Sequence, residues 1–263
     1  MNFENLFETS LIQFLLVFTR ASGMVLTAPI FQSKTIPMQV KVIIAFSLAL
    51  VLGPVIEART ELILVNNAVF FITLIQELLV GLIIGFSVNL TIHAIQLAGY
   101  FMDVSLGFGV VNIIDPNTGT EMPLLGQFNY FIAIAIFLGI NAHHTVIMSL
   151  AQSYELIKPG FFMIKNQAVA VFLKAFSGMF LLGFQIALPI IGAIFLADVA
   201  LGIISKLIPQ INVFVIGFPI KIILGLIMLI FFLPVYVIVL EKVFSHSGST
   251  FRFLIYFLKQ LHW

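Results

Sequence analysis

Long apolar runs separated by short clusters of charge set the pattern of this chain. Six apolar stretches stand out: Leu11–Ile30, Met38–Ile56, Ala68–Ala98, Phe128–Leu150, Ala168–Ile204 and Ile211–Leu240. A helix that crosses a bilayer needs about 20 such residues. The third, fifth and sixth stretches are longer, at about 30 or more by the same measure. Each is either one tilted or protruding helix or a helical hairpin. Pro189 is expected to break the fifth stretch, and Pro219 and Pro234 to interrupt the sixth.

The charges between these stretches conflict with simple alternation across a membrane. Cytoplasmic connections favour Lys and Arg. Only acids, Glu4 and Glu8, precede the first stretch, Lys34 and Lys41 flank the next connection, and Glu57, Arg59 and Glu61 follow. This order reads outside, inside, outside. Alternation then puts the acidic connection around Asp103, Asp115 and Glu121 inside, and the one with Lys158 and Lys165 outside. The tail with Lys242, Arg252 and Lys259 also falls outside. These last assignments violate the rule. A hairpin in the third stretch would repair the middle, and a second one later would repair the tail. The pattern predicts an all-α integral membrane protein built from helical hairpins with long, Pro-broken helices, and not a plain serpentine bundle.

The connection from Gly99 to Phe128 differs from an ordinary loop. It has no Lys or Arg, and Asp115-Pro116-Asn117-Thr118-Gly119 reads as a turn. Val110, Val111, Ile113 and Ile114 make it strongly apolar. Loops beyond about 12–15 residues are usually functional or disordered, and this hydrophobicity argues against disorder. Irregular backbone at membrane depth survives where protein buries it or where it lines a cavity. Two readings follow: a pore-lining or pore-closing segment over about 99–127, or a partly helical connector lying on a neighbouring subunit.

Composition narrows the class. Of 263 residues, 61% are hydrophobic and 9% charged, far below the roughly 25% charge of soluble domains. The net charge of +1, with no basic run, gives nucleic acid nothing to bind. Cysteine is absent, which excludes disulfides and thiolate metal sites. Residues Met1 to Ser10 lack the basic start of a cleaved signal peptide, so the first apolar segment is expected to be retained. Phe occurs 29 times against one Trp, a balance suited to packing against protein more than to an interfacial girdle. The tail over 241–263 has a Ser/Gly break at 245–249. It then reads as a basic amphipathic interfacial helix with Arg252, Lys259 and a terminal Trp263.

Charges inside apolar stretches are costly and mark candidates for ion pairs, subunit contacts or a proton path. They are Arg20, Lys41, Glu77, Lys174, Asp198 and Lys221, with Asp103 and Lys206 close by. Asp198 and Lys206 share a helical face two turns apart, too far to bond directly within one helix. Gly81 and Gly85 form a GxxxG that lets helix backbones approach closely. His143 and His144 are adjacent, which places them on different faces of a helix, and no carboxylate accompanies them at metal-ligand spacing. No P-loop, HExxH or GxSxG is present. No enzyme activity, cofactor or metal is expected.

The motifs also form an ordered set: Arg20-Ala-Ser-Gly23, Ala28-Pro29-Ile-Phe31, Pro37 and Lys41; Glu77, Gly81 and Gly85; Gly99, Asp103, Gly107 and Asp115-Pro116. Asn141-Ala-His143-His144, Ser153 and Pro159 follow. Then come Ala187-Leu188-Pro189, Asp198-Val-Ala-Leu-Gly202, Pro209-Gln-Ile-Asn212-Val-Phe214 and Gly217-Phe-Pro219-Ile-Lys221. Together they resemble the FliR/SctT family of type III secretion export-gate proteins over nearly the whole chain. Two departures are visible: Ala142 replaces a frequent glycine, and Lys206 replaces a frequent Arg, which loses a bidentate fork.

The resemblance implies a structural, channel-forming subunit of a flagellar export gate, with residues 1–240 as the membrane domain. It implies FliP-like and FliQ-like subunits in a hetero-oligomer, FlhB-like and FlhA-like proteins nearby, and unfolded secretion substrates, in the bacterial inner membrane at the flagellar basal body. It also implies a loop that helps to close the channel, formed by Gly107, Phe108, Gly109, Val110, Val111, Asn112, Ile113, Ile114, Asp115, Pro116, Asn117, Gly119 and Met122. The competing readings are a virulence-type secretion system and a secondary transporter with a midplane site at Glu77 and Asp198.

Overall fold

The structure is a computed structural model that describes residues 3–33, 35–56, 67–108, 123–163, 166–210, 212–244, 255–259 and 261. It is an all-α integral membrane protein, with no β-strand among the described residues. The helices are α1 (Phe3–Thr27), α2 (Met38–Leu52), α3 (Asn67–Leu106), α4 (Leu124–Gly139), α5 (Ala142–Leu156), α6 (Asn166–Leu207) and α7 (Val213–Phe244). Among the described residues, α1, α3, α6 and α7 contain segments long and apolar enough to cross a membrane, and α4 with α5 counts as a fifth, broken span. The break falls at Asn141, which takes the left-handed conformation at φ 56°.

The third stretch is a single helix of 40 residues and contains no hairpin. It has no proline, and its packing glycines lie on one side, so nothing in it turns the chain. The expected breaks at Pro189, Pro219 and Pro234 do not end α6 or α7, and each proline lies inside a continuous helix. A proline removes one backbone donor, but apolar surroundings offer the freed carbonyl no competing water, and spanning helices tolerate the local adjustment.

The central connection is shorter than the pattern predicts. Gly99–Leu106 completes α3, and residues 124–127 open α4. Gly107 closes α3 with φ 84°. Its N–H donates to Val104 O at 3.2 Å, and the Phe108 N–H donates to Asp103 O at 3.0 Å. This is the glycine-capped Schellman ending, a role that needs a residue at ease with positive φ. Of the expected channel-closing residues, only Gly107 and Phe108 are described; Gly109–Met122 lie outside the described residues.

The chain divides into two units. The first holds residues 1–91, 140–175 and 243–263, and the second holds 92–139 and 176–242. In the first, α1 and α2 form an antiparallel hairpin. Gln13 in the first half of α1 donates to Gly53 O and Ile56 O beyond the end of α2. Phe14 and Phe18 meet the Phe46 ring edge-on. A helical turn at 255–259 buries Phe257 and Leu258, and the Met163 N–H donates to Leu261 O at 2.9 Å. In the second unit, the end of α3 with α4, and α6 with α7, form two further antiparallel hairpins.

Candidate functional site

The densest chemistry in the first unit is a polar node inside apolar helices. The Arg20 Nε donates to Glu77 Oε2 at 2.6 Å and Nη2 donates to Glu77 Oε1 at 3.0 Å, a two-pronged pair between α1 and α3. Arg20 Nη1 donates to Ser153 Oγ at 2.8 Å, and Nη2 also donates to Ile157 O at 3.0 Å. The guanidinium carbon lies 3.8 Å from the centre of the Tyr154 ring, an arrangement that favours a cation over the π-face. Arg20 and Glu77 are 0% and 1% exposed. The planar fork of Arg matches both carboxylate oxygens and leaves donors for α5, which Lys does not provide.

Glycine makes this contact possible. A Cβ at Gly23 would lie 2.5 Å from Leu78 O, one at Gly81 would strike the Arg20 carbonyl, and one at Gly85 would strike the Thr27 hydroxyl. The GxxxG therefore packs α3 on α1 within the chain. The Thr27 hydroxyl, donating to Leu82 O at 3.1 Å, and Asn89, bonded to Thr27 O and Gln32, continue the same seam.

In the second unit, Asp103 forms no ion pair among the described residues. Its carboxylate accepts from the Leu125 and Gly126 N–H groups at 3.0–3.1 Å. The first turn of a helix has unpaired N–H groups and a partial positive charge. Pro123 precedes α4 and carries no side-chain acceptor, so Asp103 caps α4 from α3. Gly99 permits the approach: a Cβ there would lie 2.7 Å from Gly126 Cα. One turn further, buried Asn129 donates to Tyr236 Oη at 3.3 Å.

Asp198 pairs with Lys221 at 2.7 Å across the α6–α7 hairpin, at 46% and 19% exposure respectively. Lys206 and Lys174 are exposed and Lys41 is half-buried, none of them in an ion pair among the described residues. The His143 and His144 rings lie 4.3 Å apart at the first turn of α5, so the two imidazoles are neighbours although their positions are about 100° apart around the helix. Sequence reasoning does not single out Tyr154, Asn129 or Tyr236; the polar run Gln152-Ser153-Tyr154-Glu155 at the end of an apolar helix is the available signal for the first.

Comparison with known proteins decides the family. The family described as bacterial export proteins, family 1, matches residues 11–247. Flagellar biosynthetic protein FliR of Bacillus subtilis is 37% identical over 92% of this chain and 94% of its own length. The chain belongs to the FliR family of bacterial export proteins. FliR of Aquifex aeolicus is 30% identical over 94% of this chain and 95% of its own length, and FliR of Escherichia coli is 27% identical over 86% of each. The family match runs through the polar node, the Asp103 cap and the α6–α7 hairpin alike.

Proposed function

We propose that this chain is a structural, non-enzymatic subunit of the flagellar protein export apparatus in the bacterial inner membrane. In this reading it forms part of the channel wall with FliP-like and FliQ-like subunits, beside FlhB-like and FlhA-like proteins. The observation that carries the reading is the end-to-end match to proteins named for flagellar biosynthesis. A second feature supports it. Only 22% of the most apolar stretch of α6 and 17% of that of α7 is buried, so these helices leave broad faces for lipid and for other subunits.

In the same reading, residues Gly107–Met122 help to close the channel. Their sequence suits a seal, because Val110, Val111, Ile113 and Ile114 are apolar and no Lys or Arg is present. A hydrophobic constriction can gate by dewetting. The test has two parts. Co-expressed with its neighbours and extracted in mild detergent, the chain should run as part of a large hetero-oligomer. A monomer or homodimer would favour a secondary transporter instead. In the assembled complex, deleting residues 107–122 should raise ion conductance with assembly intact, and unchanged conductance would remove the closing role.

A further inference from the structure

The C-terminal tail meets the start of α6 around a space that the preceding sections leave without a role. In the first unit, Leu79 and Ile83 of α3, Ala168 and Phe172 of α6, and Phe257 and Leu261 of the tail surround a cavity of about 200 Å³. Phe162, just before α6, completes the wall. Val169 also lines the cavity but is 53% exposed, so it sits at the mouth. The Met163 N–H, donating to Leu261 O, ties the tail to this wall. The Phe86 ring stacks on Phe172 at 5.6 Å and holds the α6 side in place. The walls are wholly apolar.

Water is a poor occupant for such a space. A buried water needs polar partners, and apolar cavities stay dry. The position in the membrane favours hydrocarbon. Ala168 and Val169 lie at the start of α6, where the apolar span beginning at Gln167 enters the bilayer. The tail turn has the pattern of an interfacial segment: Phe257, Leu258 and Leu261 are buried, while Tyr256 and Lys259 are exposed. The cavity therefore lies at the boundary between headgroups and acyl chains.

Charge selects the occupant. No Asp or Glu lies between Glu155 and Asp198, and none follows Glu241. The same two segments carry Lys158, Lys165, Lys174, Lys242, Arg252 and Lys259. Lys158 precedes Phe162 by four residues, Lys259 falls between Phe257 and Leu261, and both are exposed. Glu77 on α3 is engaged by Arg20. The first turn of α6 adds N–H groups with no partner inside the helix and a partial positive charge, a setting that favours phosphate. An apolar helix of another subunit would fill the groove and leave these cations unmatched. An anionic phospholipid satisfies both the apolar walls and the charge. Pockets for rigid drug-sized ligands run to about 300–1,000 Å³, so this smaller one suits a single flexible chain. We infer that the cavity binds one acyl chain of an anionic phospholipid, whose phosphate is held by Lys259 and the first turn of α6. The inference rests on the cavity and its charge and is independent of the export reading proposed above.

The test uses the full chain in detergent, incubated with dioleoyl phosphatidylglycerol or dioleoyl phosphatidylcholine, with native mass spectrometry counting the lipids retained. One phosphatidylglycerol should be held, several-fold in preference to phosphatidylcholine. Lys259→Gln should remove that preference. Ala168→Phe, which fills the cavity, should remove the bound lipid while circular dichroism shows the helices intact. Val169→Trp blocks the mouth from an exposed position and should do the same, which keeps the test valid if Ala168→Phe fails to fold. Equal retention of both lipids by the unaltered chain, or unchanged retention in the folded cavity variants, would mean ordinary annular lipid and overturn the site. Glycerophosphoglycerol, the headgroup without chains, should not compete at the same concentration; effective competition would show a phosphate site that does not use the cavity, and would overturn the proposal. In the assembled complex, a photoreactive amino acid at Val169 should crosslink to lipid. Crosslinks only to another protein would put a subunit in the groove and equally defeat the inference.

Discussion

The Arg20–Glu77 pair and the Lys221–Asp198 pair join helices by the same kind of charge, yet their surroundings have little in common. The first is closed to solvent on every side, doubly hydrogen-bonded, and bound to Ser153 and the Ile157 carbonyl. The second has one bond, and its aspartate is 46% exposed. The glycines repeat the contrast. Cβ atoms at Gly23, Gly81 and Gly85 would collide with backbone, whereas those at Gly178, Gly192 and Gly202 would meet nothing within 4 Å. The α1–α3 seam is therefore a finished contact, with every small residue used. The helices α6 and α7 mix the two conditions: Cβ atoms at Gly183, Gly217 and Gly225 would press on Ala94 O, Leu201 and Leu106, while Gly178, Gly192, Gly202 and the Asp198 pair have their space unfilled. A charge or glycine in an apolar helix acquires meaning only from what has closed around it.

The sharpest way to break this comparison is to open the finished contact. Glu77→Ala leaves the Arg20 guanidinium buried without its counter-ion, a change that costs about 3–5 kcal/mol. Denaturation in detergent should show that loss. Replacing Arg20 by Met and Glu77 by Leu together should recover much of it, because well-packed apolar residues often substitute for a buried ion pair at little cost. If Glu77→Ala were no worse than a change at Lys221, the node would not be what holds α1 to α3.

How much of this is readable from sequence differs by feature. Membrane class and helical content follow from the length and spacing of apolar runs, which local sequence determines. The hairpins do not, because the charge pattern places one inside the third stretch, whereas the helices pair between stretches and each long stretch is one helix. The GxxxG is visible, but its partner is not, because Gly81 is matched by Gly23, 58 positions earlier, and no periodicity links the two. Arg20 and Glu77 stand out as costly charges, while Tyr154 does not, since a tyrosine near a helix end is unremarkable until a guanidinium lies on its ring. Asp103 reads in the sequence as an ion-pair or subunit-contact candidate. It caps α4 because Pro123 leaves that helix start without an acceptor of its own, and only the folded hairpin brings them together.

A change at that cap should have a smaller effect. Asp103→Ala leaves the Leu125 and Gly126 amides without an acceptor, at about 1–2 kcal/mol, the usual loss for a helix cap. Hydrogen exchange should quicken at those two amides and hardly change in α1. Asp103→Asn keeps an acceptor oxygen and should fall between the two. Equal exchange in all three proteins would show that α4 starts without help from α3, and the buried Asn129–Tyr236 bond would then be left as a closed polar contact of the second unit.

The smallest effect on the isolated chain is expected at the open pair. Lys221→Ala removes one partly exposed bond, and such pairs contribute about 0–1 kcal/mol. Denaturation of the purified chain should barely move. Within an assembly the same substitution should matter more. If other subunits cover the α6–α7 hairpin, the variant carries Asp198 into that contact without its cation, and burial makes an unpaired charge costly. Recovery of the hetero-oligomer should then drop while the chain alone keeps its stability. A loss in the chain alone would mean that the hairpin is closed from within, like the node. No loss in either would mean that Asp198 stays in contact with water after assembly, so that the open pair marks a face that neighbouring subunits leave uncovered.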